Sequence, residues 1–206
     1  MDLKDRIVRE SSTLFFKKGI RSMTMSDIAN ELGVSKRTLY EVFRDKEELL
    51  ENCINFHMAK ADREVERLAT TSENVIDTFM RIYAIHLQEV RDVNKSVIHD
   101  LRKYHPNIYR KIECRQQEDV SMFNPLFKKG IAEGLIREDV NYEILLYLLK
   151  AQFRVLMDDE SIPVNKYSTG EFIQTIILNF VRGIATPLGM EKINAFLGKL
   201  KKTEEI

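Results

Sequence analysis

The sequence predicts an all-α protein, and three observations carry that expectation. Apolar residues recur three or four positions apart through every long segment, the spacing that gives a helix one buried face. The 8 glycines and 4 prolines of the 206-residue chain fall mainly where those segments end. Alternation of strand length is absent, as are internal repeats and low-complexity tracts.

Each element has a local cause. A first helix from about Leu3 to Lys18 places Ile7, Ser11, Leu14 and Phe15 on one face and ends at Gly19. Thr24 with Asp27 three residues on reads as a capping box, and Ile28, Ala29 and Leu32 give the helix behind it an apolar side. Gly33 can take the left-handed conformation that stops a helix abruptly. Ser35 caps the next helix, which buries Leu39, Val42 and Phe43 and turns Lys36, Arg37, Thr38, Tyr40 and Glu41 to solvent. Asp45 with Glu48 opens a fourth helix through Leu49, Leu50, Cys53, Ile54, Phe56 and His57 to about Leu68. Thr70-Thr71-Ser72 breaks it, and Thr70 with Glu73 is expected to start a helix bearing Val75, Ile76, Phe79, Ile82, Tyr83, His86, Leu87 and Val90. A short helix over Ser96 to Tyr104 stops before Pro106. One longer helix is expected from Asn107 to Glu133, kinked or broken at Pro125. Gly134 to Val140 reads as a turn. The most apolar helices follow, Tyr142 to Met157 and Phe172 to Ala185, the latter opened by Ser168 with Glu171. A last amphipathic helix, about Met190 to Lys201, carries Ile193, Phe196, Leu197 and Leu200.

Two short helices crossed over a glycine turn form a helix-turn-helix, whose second helix fits the major groove of DNA. Lys+Arg and Asp+Glu both number 32, so a DNA-binding chain must concentrate its positive charge on one face. Between Gly33 and Arg44 the cations Lys36, Arg37 and Arg44 face a single carboxylate, Glu41, and Lys17, Lys18, Arg21 and Lys46 can flank that surface.

Leu14-Phe-Phe-Lys-Lys-Gly-Ile20, Thr24-Met-Ser-Asp-Ile-Ala29, Gly33-Val-Ser-Lys-Arg-Thr-Leu-Tyr40, Phe43 and Lys46-Glu-Glu-Leu-Leu50 together resemble the tetracycline-repressor (TetR) family. Its N-terminal pattern runs roughly LFaekGf…T…dIA…GVskgtlYxhFxsKeeLl. The likeness spans about the first 50 residues; the rest matches in length and helical character alone. Two positions depart from it: Arg37 stands where glycine is frequent, and Val42 where histidine is frequent. Arg37 therefore adds a phosphate or base contact that the family pattern does not specify. The resemblance implies a helix-turn-helix domain over residues 1–48 and a helical effector-binding and dimerisation domain over 49–206. It also implies backbone contacts to DNA from Thr24, Tyr40 and Lys46, and dimerisation through a four-helix bundle built from the last two long helices.

The residues themselves extend that picture. Ser35, Lys36, Arg37, Thr38 and Tyr40 are expected to face DNA, with Thr24 and Lys46 holding phosphates near helix starts. Ile144 and Leu148 of one apolar helix, with Phe172, Ile173, Ile176, Ile177 and Phe180 of the other, are the candidate dimer interface, because both helices carry more apolar surface than one partner face needs. The effector site is expected among Phe79, Tyr83, His86, Tyr104, Gln117, Phe123 and Phe153, an apolar set with a few polar anchors suited to a hydrophobic small molecule; Cys114, Met122 and Met157 are further candidates.

Other classes find no support. His57, His86, His99 and His105 show no HExxH spacing, and there is no GxSxG, P-loop or glycine-rich phosphate cradle, so neither enzyme, metal nor cofactor is expected. Cys53 and Cys114 read as free thiols, and nothing supports a redox role for Cys114. The N-terminus is charged from its second residue and no apolar run approaches ~20 residues, so a cytoplasmic location is expected. The sequence thus points to a dimeric, ligand-responsive regulator, most readily a repressor, on a palindromic operator. An activator, or a helical dimerisation module without a small effector, is the alternative.

Overall fold

A computed structural model describes residues 2–91, 96–117, 123–158 and 166–204; the side chains of 86–91, 115–117, 157–158, 169 and 201–204 lie outside the description. Among the described residues there are eleven α-helices: α1 (Leu3–Lys18), α2 (Met25–Leu32), α3 (Lys36–Val42), α4 (Lys46–Thr71), α5 (Val75–Arg91), α6 (Ser96–Tyr104), α7 (Pro106–Gln117), α8 (Asn124–Ala132), α9 (Tyr142–Asp158), α10 (Thr169–Ile184) and α11 (Pro187–Glu204). By packing they form two compact units, residues 1–64 with 92–117 and residues 65–91 with 118–206.

In the first unit the anticipated stop signals operate. The N–H of Gly19 closes α1 on the Phe15 carbonyl at a φ of 88° that side chains resist. Ile7, Phe15, Ile20, Ile28, Leu39, Phe43, Leu49 and Leu50 form a core with Val97, Leu101 and Ile108 of α6 and α7. Helices α6 and α7 thus belong to the packing of the N-terminal helices, a distant partnership that local patterning does not reveal. Asp100 of α6 is buried and accepts a hydrogen bond from the Arg21 backbone N–H at 3.0 Å.

In the second unit α5 packs with α8, α10 and α11 around Val75, Ile76, Met80, Tyr83, Phe127, Ile136, Ile184 and Ile193. The expected turn at Gly134 is present, and its continuation pairs Ile136 with Ala185 in an isolated antiparallel bridge. The bridge is held by Arg137 N–H to the Ile184 carbonyl at 2.8 Å and Thr186 N–H to the Leu135 carbonyl at 3.0 Å.

The boundary between α4 and α5 and the start of α11 differ from the sequence reading, and the break expected at Pro125 falls at the start of a helix. Helix α4 runs on through Thr71, because the hydroxyls of Thr70 and Thr71 each donate 2.8 Å back to the Arg67 carbonyl and so stay within the helix. Asn74, rather than Thr70, therefore opens α5, its side-chain oxygen accepting from the Asp77 N–H at 2.9 Å. The span expected from Asn107 to Glu133, kinked or broken at Pro125, holds α7 and α8, with Pro125 in the first turn of α8, where its missing N–H costs nothing. Finally, α11 begins at Pro187, three residues earlier than expected, with the Thr186 hydroxyl accepting from the Gly189 N–H at 3.1 Å.

Candidate nucleic-acid interface

The surface presented by α2, α3 and their connection is built from caps. The Thr24 hydroxyl accepts from the Asp27 N–H at 3.2 Å, while the Asp27 carboxylate accepts from the Thr24 N–H at 2.9 Å and hydroxyl at 2.6 Å. These bonds hold the Asp27 carboxyl below its ordinary pKa, the Thr24 hydroxyl contributing most. Gly33 ends α2 at φ 64° and ψ 30°, and the Val34 N–H closes the turn on the Ala29 carbonyl at 3.0 Å. Ser35 then caps α3, accepting from the Thr38 N–H at 3.0 Å, with the two hydroxyls 2.7 Å apart.

Helix α3 buries Leu39 and leaves Lys36, Arg37 and Tyr40 exposed, with Thr38 half-buried. Two cations on it are each engaged one turn further on. The Lys36 ammonium lies 5.9 Å from the centroid of the Tyr40 ring, and the Arg37 Nε donates to the Glu41 carboxylate at 2.9 Å. Arg44, whose role the sequence leaves open, is exposed and pairs with Asp45 at 2.9 Å, which pushes its guanidinium pKa up. Asp45 also caps α4, accepting from the Glu48 N–H at 2.8 Å.

The flanking cations are partly committed within the protein. Lys18 pairs with Glu31 at 2.7 Å, and Arg21 donates to the Tyr104 hydroxyl at 3.1 Å with its guanidinium 5.2 Å from that ring's centroid. Lys46 is half-buried and donates to the Ile20 carbonyl at 2.7 Å. Burial pulls its ammonium below the ordinary value, opposed by Asp100 and Asp27. Lys36, Arg37 and Arg44 are exposed, as are Lys17, Lys18 and Arg21, and Arg37, Arg44 and Lys18 are each paired with a carboxylate.

Removing the α2 cap tests this construction. Thr24→Ala should cost about 1 kcal/mol, read as a lower thermal midpoint. DNA affinity should fall with it, since α2 positions α3; an unchanged midpoint would contradict the role given to the cap.

The other candidates are distributed as follows. Phe79 and Tyr83 are buried in the second unit and Phe123 and Phe153 are half-buried against its core, with Phe79 5.7 Å from Phe127 and 6.3 Å from Phe180 between ring centroids. Tyr104 belongs to the first unit, where it is exposed and bound to Arg21. The side chains of His86, Gln117, Met122 and Met157 lie outside the described residues. A groove of about 460 Å³ in the first unit is lined by Arg44, Glu47, Glu48, Glu51, Asn107, Ile108 and Lys111, none of them an expected effector contact. Cys53 is buried, which pushes its thiol pKa up, and Cys114 is exposed. No group of three or more metal-ligating side chains occurs among the described residues. No helix among them is long and apolar enough to cross a membrane.

Helix α9 shows Ile144, Tyr147, Leu148 and Val155 to solvent at 55%, 52%, 51% and 47% of their surface. On α10, Phe172, Ile176 and Phe180 are half-buried, whereas Ile173 and Ile177 are packed in their own unit's core at 3% and 8%. Ile173, Ile177, Val181 and Ile184 form the row of α10 that faces inward, leaving Ile173 and Ile177 little surface for a partner.

Residues 7–53 match the model of the tetR family of bacterial regulatory proteins. The chain is 26% identical over 181 residues to YvaF, an HTH-type transcriptional regulator of Bacillus subtilis, covering 87% of this chain and 94% of that one. It is 19% identical over 171 residues to the HTH-type transcriptional repressor KstR2 of Mycolicibacterium smegmatis, with 81% and 80% covered. Among solved structures, a TetR-family transcriptional regulator from Marinobacter aquaeolei VT8 superposes with a TM-score of 0.65 at 19% identity, covering 97% of this chain and 98% of that one.

Proposed function

Because this chain belongs to the tetR family of bacterial regulatory proteins and is a DNA-binding transcriptional regulator, we propose that it is a ligand-responsive repressor that binds a palindromic operator as a homodimer. The observation that carries the DNA side is the exposed face of α3, where Lys36, Arg37 and Tyr40 stand on a helix capped and closed at both ends. One helix-turn-helix reads few base pairs, and a two-fold dimer doubles the readout. The unpartnered stripe of Ile144, Leu148 and Val155 with Tyr147 on α9, beside Phe172, Ile176 and Phe180 on α10, supports the dimer. Repression is supported by relatives that carry that name, KstR2 among them.

In this reading residues 1–48 read DNA and residues 49–206 carry dimerisation and effector binding. Phe79, Tyr83, Phe123 and Phe153 supply an aromatic environment for a hydrophobic effector. The effector would favour a dimer whose α3 helices no longer match successive major grooves. Thr24, Ser35, Thr38 and Lys46 contact phosphates; Lys46 keeps two N–H donors beyond its bond to Ile20. Lys46→Ala should weaken binding to all duplexes about equally and flatten the salt dependence by roughly one charge per chain. An unchanged salt slope would remove Lys46 from the phosphate contacts.

A gel shift with the DNA upstream of the chain's own gene tests the whole reading. A discrete complex that hydrophobic compounds release supports it. Discrete binding that no compound releases would leave a regulator without a small effector, and absence of sequence preference would overturn the proposal.

A further inference from the structure

We propose that Arg37 reads a guanine in each operator half-site and that Glu41 is the residue that positions it to do so. This rests on the reading of α3 as the helix that enters the major groove. Arg37 and Glu41 are one helical turn apart, and the Arg37 Nε donates to the Glu41 Oε1 at 2.9 Å with the two side chains 88% and 58% exposed. An exposed pair of this kind stabilises a helix little, and less with the cation on the N-terminal side. Its consequence is geometric. A guanidinium carries five N–H donors in a rigid fork. With Nε committed to Glu41, the four donors on the two terminal nitrogens remain, and these have no partner among the described residues. Two parallel donors match the O6 and N7 acceptors of guanine, the pattern only that base presents in the major groove.

The neighbouring cation is held differently. Lys36 lies over the Tyr40 ring and offers a compact ammonium without the planar fork, which suits a phosphate and matches a base edge less directionally than a guanidinium does. The same helix face therefore presents one cation that fixes position and one that carries sequence information. A flexible arginine would pay rotamer entropy on binding; the tether to Glu41 removes part of that cost before DNA arrives.

Selection from a randomised duplex library with the full chain gives the preferred site. Affinities are then measured for that site and for a duplex with the guanine pair exchanged. The exchange should cost the wild type about tenfold or more. R37A should bind the two duplexes nearly equally, and R37K should fall between R37A and the wild type, because it keeps the charge and donors but loses the rigid fork. E41A and E41Q change the charge identically, but the glutamine oxygen still accepts from Nε. E41A should therefore lose most of the discrimination and E41Q retain most of it. Discrimination that survives R37A overturns the assignment to Arg37 while leaving the DNA reading intact. Equal behaviour of E41A and E41Q overturns the positioning role, since it would mean that Glu41 acts by charge alone or reads a base itself. A wild type that enriches no sequence overturns both this proposal and the DNA reading on which it rests.

Discussion

A lysine at Leu148 is expected to convert the proposed dimer into a folded monomer and to lower operator affinity by about a hundredfold or more. Leu148 is 51% exposed at the middle of the stripe running from Ile144 to Val155, so the substitution disturbs no core. In the proposed dimer each patch meets its own copy across the two-fold axis, and two ammonium groups would be desolvated against each other. The monomer would keep one reader helix and lose the second half-site, which accounts for the drop in affinity. Sedimentation and fluorescence anisotropy read the two effects, and circular dichroism checks that helicity persists. A lysine at Ile177 should behave differently: that residue is 8% exposed within its own unit, and a charge there should unfold the unit rather than split a dimer. If Leu148→Lys remains dimeric with full affinity, the interface lies elsewhere.

The second large effect is expected at Gly189 in α11. A methyl group there would lie 2.3 Å from the carbonyl oxygen of Leu135 and 3.2 Å from the Ala185 Cβ. That carbonyl cannot swing away cheaply, because it accepts the Thr186 N–H at 3.0 Å beside the Ile136–Ala185 bridge. Gly189→Ala should cost about 2–3 kcal/mol and lower the thermal midpoint by roughly 5–10 °C. Gly198, also in α11, has open space around its Cβ position, so Gly198→Ala should be neutral or stabilising. Equal midpoints for the two variants would show that α11 does not approach the Leu135 carbonyl this closely.

The features legible in the sequence are those with short-range causes. The box of Thr24 with Asp27, the αL cap at Gly33, the Ser35 cap and the box of Ser168 with Glu171 are set by residues within three positions, and each forms as its side chains dictate. The junction at residues 70–74 is less legible, because a threonine hydroxyl can serve either as a cap or as a donor to the carbonyl three or four residues back. Thr70 and Thr71 take the second course, which leaves capping to Asn74. Pro125 signals a break, but its choice of side depends on which helix its ring can begin.

The site divides along the same line. The exposed face of α3 follows from helical periodicity. The engagement of Lys18 by Glu31, of Arg21 by Tyr104 and of Lys46 by the Ile20 carbonyl depends on contacts 13 to 83 residues apart. The inward row of Ile173 and Ile177 likewise emerges only when the other helices of the unit are in place, since α10 is apolar on more than one side. Glu41 counted only as a charge in the sequence, and its bond to Arg37 gives it a direction.

The measurement that tests the central claim most directly is the stoichiometry and footprint of the wild-type chain on its selected duplex. Two chains should protect two inverted half-sites centred about 10 base pairs, or a multiple of that, apart. Joint loss of both half-sites should follow when either is scrambled at limiting protein. One chain bound per site, or protection without any inverted repeat, would contradict a dimeric reader of a palindrome.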